Sequence, residues 1–66
     1  MMKYLAWEEV KSNDVIYDTV NKENVRIDSK FYNVYAECMF TGVSKTCSHI
    51  IRHFEKNRYI KTKEDE

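Results

Sequence analysis

Residues 28–57 read DSKFYNVYAECMFTGVSKTCSHIIRHFEKN, and the fold class turns on whether this stretch is helical or extended. Phe31, Val34, Tyr35 and Cys38 fall at i, i+3, i+4 and i+7, the spacing of one helical face. Asp28 or Ser29 supplies an N-cap oxygen just ahead of them, so the spacing predicts a helix from about Lys30 to Met39. A strand competes for the same residues, because Tyr32, Val34, Ala36, Cys38 and Phe40 also alternate with polar or small neighbours. The lone glycine, Gly42, stands where a helix C-cap needs positive φ at no steric cost. Ser44 then offers a second N-cap. Cys47, Ile50, Ile51 and Phe54 repeat the helical spacing and predict a second helix reaching about Asn57.

Outward from this segment the signals are extended. Val15–Val20 is rich in β-branched and aromatic residues and Val25–Ile27 alternates, while the Asn21-Lys22-Glu23-Asn24 run between them tolerates turn geometry. These stretches predict a β-hairpin over 15–27 that needs a packed partner for stability. Tyr4, Trp7 and Val10 suit a short amphipathic helix or an irregular packed arm over 1–11. Arg58 to Thr62 has strand character and suits a third strand beside the hairpin. The expected architecture is a single α+β domain over 1–66, a β-hairpin packed on a helix-turn-helix (30–57) with a short C-terminal strand and a charged tail at 61–66.

The chain has 66 residues, 42% hydrophobic and 33% charged, with no proline and two cysteines. So small a domain has little core, and needs tight packing, a cross-link, a metal or self-association to be stable. Two cysteines are too few for a disulfide framework. No apolar run reaches the length of a membrane span, and Lys3, Glu8 and Glu9 interrupt the opening segment where a signal peptide would be apolar. A cytoplasmic setting with reduced thiols is expected, with no membrane partner.

Charge is distributed unevenly although the formal sum is zero. Acids outnumber bases up to Val43, whereas Glu55 is the single acid among six cations between Ser44 and Lys63. On the predicted second helix, Lys45, Thr46, Ser48, His49, Arg52, His53 and Lys56 surround the outer face. Cations neutralise phosphates and release counterions, and hydroxyls and guanidinium groups meet base edges. Duplex DNA is the expected partner, with Lys45, Thr46, Ser48 and His49 nearest the groove and Arg52, Lys56, Arg58 and Lys61 on flanking phosphates.

The order of strand, polar turn, strand, Asp28-Ser29, an alanine-bearing helix and Thr41-Gly42-Val43-Ser44-Lys45-Thr46, closed by Arg58-Tyr59-Ile60-Lys61, resembles the nuclease-associated modular DNA-binding repeats found beside homing endonucleases. Gly42-Val43-Ser44-Lys45 with Ile50-Ile51 and Lys56-Asn57-Arg58-Tyr59-Ile60 is also similar to the recognition helix and following strand of winged helix-turn-helix regulators. Both resemblances, over about residues 15–63, imply a DNA-binding module acting in transcription or another DNA transaction.

Other chemistries find less support. His49 and His53 are four residues apart, but on a helix His49 points away from Cys47, which argues against a shared metal. Cys38 and Cys47 read as small core residues, so no metal or cofactor is expected. Nothing suggests an enzyme, since no oriented nucleophile, paired carboxylates or phosphate loop is evident and the chain is too short to enclose a substrate pocket. The aromatic surplus points to the competing reading. An exposed set such as Tyr4, Trp7 and Tyr32 would anchor a protein interface or a homodimer, in a small viral or mobile-element protein that docks on a larger host protein and inhibits or redirects it.

Overall fold

The computed structural model describes residues 3–62. They form five strands, β1 (Val15–Asp18), β2 (Glu23–Tyr32), β3 (Cys38–Ser44), β4 (Ile50–His53) and β5 (Tyr59–Lys61), preceded by one 3-10 turn at Trp7–Glu9. All pairings are antiparallel, in the order β4-β3-β2-β1-β5. No helix among the described residues is long and apolar enough to cross a membrane. Residues 63–66 of the charged tail read at 61–66 lie outside the described residues.

The α+β architecture with a helix-turn-helix is therefore overturned: residues 30–57 are β2, β3, β4 and their loops, with no helix among them. The physical reason lies in which side chains the core takes. Of the first apparent helical face, Val34 is 91% and Tyr35 79% exposed, because they sit in a hairpin loop. Of the second, Ile50 and Phe54 are buried but Ile51 is largely exposed, so the core selects alternate positions of a strand. Gly42 lies mid-strand opposite Ile27 and Ile50, and its φ is not positive. Left-handed geometry falls instead on Asn13, Lys22, Ala36 and Asn57 in the connections. Ser44 closes a loop rather than starting a helix: its Oγ accepts from the Cys47 amide at 3.2 Å, the bond an N-cap would make, without a helix following.

Val15–Asp18 and Glu23–Arg26 pair as adjacent strands, and β5 returns to lie on the other side of β1. One face of the sheet carries the core of Val10, Ile16, Val25, Ile27, Phe40, Ile50, Phe54 and Tyr59. The sheet is strongly curled. Three strand spacings separate β4 from β1, roughly 14 Å in a flat sheet, yet the Arg52 guanidinium on β4 meets Asp18 on β1 at 2.6 Å.

A bulge in β2 decides what faces inward further along. Ile27 pairs with Gly42 and Ser29 with Thr41, leaving Asp28 as the extra residue. One inserted residue reverses the alternation, so Lys30 and Tyr32 join the face of Ile27 and reach the amino-terminal arm.

Candidate protein-binding groove

The eight residues expected to form a DNA surface lie on several elements and not on one helix. Lys45, Thr46, Ser48 and His49 are exposed in the loop between β3 and β4, Lys56 is exposed in the loop before β5, and Lys61 is on the β5 edge, at the opposite side of the sheet from β4. Thr46 donates to Glu23 at 2.8 Å. Arg52 and Arg58 are committed internally, around a carboxylate that the sequence alone does not single out.

Asp18 is completely buried. Its Oδ1 accepts from Arg58 Nε at 2.9 Å and from the amides of Val20 at 2.9 Å and Asn21 at 3.2 Å, and its Oδ2 accepts from Arg58 at 2.9 Å and Arg52 at 2.6 Å. Arg52 reaches on to Glu23 and Arg58 to Glu55, and the Asn21 amide oxygen, turned to face it, accepts from Arg52 at 2.9 Å. Burial raises the Asp18 pKa, but the bonds from Arg58, Asn21 and Val20 outweigh it and hold the carboxyl below its ordinary value. The same contact raises that of Arg58. The cluster is saturated and structural, because each buried acceptor already has its donors.

Its pH dependence follows by linkage. A carboxylate with a depressed folded pKa stabilises above its unfolded value, 3.8, and that stability drains away as pH falls through the lower folded value. Tyr59 acts at the other end: burial pushes its pKa from 10.0 up to about 12, so stability holds below 10.0 and declines as pH rises toward 12. Urea midpoints across pH should form a plateau bounded by these two flanks. A midpoint unchanged well below pH 3.8 would contradict the account of Asp18.

The open site lies where the arm crosses the sheet. The 3-10 turn is held by Glu9, whose side chain accepts from the Ala6 amide at 2.8 Å, a bond that lowers its pKa. Val10 behind it is buried, and the Leu5 amide donates to the Tyr59 carbonyl at 2.7 Å. Trp7 is thereby fixed from several sides. Its Nε1 donates to Tyr32 Oη at 3.1 Å, Lys30 Nζ sits 4.3 Å from the ring centroid while donating to the Trp7 carbonyl at 2.6 Å, and the Phe54 ring lies 5.2 Å away. The cation over the indole and the tilted aromatic pairs each add to the hold on the ring.

Between these groups runs a groove of about 500 Å³ lined by Tyr4, Leu5, Trp7, Tyr32, Cys38 and Phe54, with Glu8, His53, Lys56 and Asn57 also contributing to its wall. Of the trio Tyr4, Trp7 and Tyr32, expected from the sequence to lie exposed as interface anchors, Tyr4 and Tyr32 are exposed while Trp7 is half-buried against the core; all three line this groove. Phe54 and Lys30 carry no such signal in the sequence, since their roles depend on the curl of the sheet and on the bulge. Cys38 lines the groove while Cys47 is exposed on a separate loop, and among the described residues no group of three or more His, Cys, Asp or Glu is placed to hold a metal ion. Comparison with family models, curated proteins and solved structures finds no match to this chain.

Proposed function

We propose that the chain is a protein-interaction module whose groove receives an apolar segment of another polypeptide. The observation that carries this reading is the meeting of Tyr4 and Trp7 of the amino-terminal arm with Tyr32 of β2 along one open groove, with Trp7 held in place by Lys30, Tyr32 and Phe54. Aromatic side chains fixed before binding lose little freedom on contact and dominate interface energetics. The groove falls in the size range that encloses a small set of apolar groups. A DNA role is less well supported, because Arg52 and Arg58 are bound to Asp18 and the helix expected to present the cations is absent among the described residues.

Trp7, the only tryptophan, reports on its own site. Peptides selected from a random displayed library on the chain, with the Tyr32→Ala variant as counter-selector, should shift Trp7 emission. Tyr32 is 63% exposed, so its truncation should leave the circular dichroism unchanged while weakening these peptides about 30-fold, as loss of an aromatic anchor does. Equal recovery on both proteins would overturn the groove as the binding site, and Lys45→Ala serves as the neutral control.

A further inference from the structure

The groove has a counterpart on the same chain. Residues 33–37 connect β2 to β3 and hold Val34 at 91% and Tyr35 at 79% exposure. The loop is internally fastened. Asn33 Oδ1 accepts from the amides of Tyr35 at 2.9 Å and Glu37 at 3.0 Å, Asn33 Nδ2 donates to the Glu37 carboxylate at 2.9 Å, and the Asn33 amide donates to the Glu37 carbonyl at 3.1 Å. Ala36 adopts φ 62°, a left-handed conformation that costs an alanine strain. Two large apolar side chains are thus presented to solvent by a preorganised knob.

We propose that the occupant of the groove is this knob from a second copy of the chain. The inference rests on the groove reading above and names its partner. Tyr32 and Cys38, the paired residues from which the loop springs, themselves line the groove, so knob and hole share one end of the molecule. That juxtaposition permits a twofold arrangement in which each copy inserts Val34 and Tyr35 into the other, a self-complementary contact that closes at two copies. The groove accommodates side chains of this size. Charge does not select the contact: Glu37 of the knob lies 3.8 Å from His53 of its own chain, and the groove wall sets Lys56 against Glu8. With no cation on residues 33–37, the knob is poorly suited to an anionic membrane surface. A core of eight buried apolar residues also belongs to the size class in which association supplements folding.

The test uses the whole chain alone, by sedimentation equilibrium and Trp7 emission from about 1 µM to about 1 mM, the range of ordinary dimer affinities. The expected result is a monomer–dimer equilibrium with a matching shift in Trp7 emission. Tyr35→Ala and, separately, Val34→Ser should weaken it with circular dichroism unchanged, the tyrosine change by about 30-fold for each anchor removed. Tyr4→Ala should weaken it from the groove side. Mixing Tyr35→Ala with Tyr4→Ala should restore association beyond either alone, because the mixed pair keeps one intact knob and one intact groove facing each other. A monomer at every concentration, or a dimer indifferent to Tyr35→Ala, overturns self-docking. If that monomer still binds the selected peptides at Trp7 the groove reading stands without it; if it does not, both fall.

Discussion

Asp18→Ala is expected to remove a third or more of the stability of this chain. The carboxylate is fully buried and receives five hydrogen bonds, three of them from Arg52 and Arg58. Deleting one member of such a group leaves the others as uncompensated charge, which costs about 3–5 kcal/mol. A domain of this length has roughly 3–10 kcal/mol in total at the usual stability per residue. Asp18→Asn should be milder, since it keeps the shape and one acceptor while losing the charge. Arg52→Met should be milder still, because Arg58 alone can hold Asp18 through two bonds and Arg52 is partly exposed. Urea unfolding followed by circular dichroism measures all three. An Asp18→Ala midpoint within about 0.5 kcal/mol of the parent, the range of ordinary surface changes, would show that the cluster does not bind the strands together.

Gly42→Ala should also destabilise, for a different reason. A Cβ at this position would lie 2.6 Å from the Arg26 carbonyl oxygen and 2.9 Å from Val25 Cγ1. The first of these atoms is backbone of β2, the central strand paired on both sides, so it cannot swing aside as a side chain would. Two effects oppose each other. Replacing glycine reduces the freedom of the unfolded chain and stabilises by about 0.4–1 kcal/mol where the native geometry permits, whereas forcing an extra carbon into a filled core costs about 1–3 kcal/mol or more. With an approach this short the second wins, and Gly42→Val should be worse than alanine although valine is the better strand former. A thermal midpoint raised by Gly42→Ala would reverse the assignment of this glycine from close packing to mere tolerance.

What the sequence reveals here depends on whether a residue answers to its neighbours in the chain or to distant ones. Val15–Val20 and Val25–Ile27 announce extended structure because their β-branched residues and the turn between them are local. Residues 28–57 mislead because apolar side chains that serve unlike purposes happen to fall at helical intervals: Val34 and Tyr35 project from a loop, Ile51 faces solvent, and Ile50 and Phe54 enter the core together with Phe40, which lies off both helical faces. Arg52 and Arg58 resemble surface cations in the sequence because their partner lies 34 and 40 residues away. A clue is present in Asp18 itself, two residues from inward-facing Ile16 on the same strand and so destined for the same face, where an acid demands cationic company. For the groove, the surplus of aromatics points to Tyr4, Trp7 and Tyr32. The bulge that sets Tyr32 on the groove side of the sheet leaves no local mark, since Asp28-Ser29 reads equally well as a helix cap.

The reach of the Asp18 cluster along the chain also bears on how the molecule comes into being. Its guanidinium partners belong to β4 and to the segment just before β5, and the carbonyl of Tyr59 anchors the arm at Leu5. During translation the first two strands emerge carrying an acid whose counter-charges have not yet been made. Hairpins alone are marginal in water, and contacts between distant parts of a chain form slowly. Acquisition of the native state therefore waits on synthesis of Arg58 and Tyr59, and until then the nascent polypeptide exposes its apolar strands to whatever holds them apart.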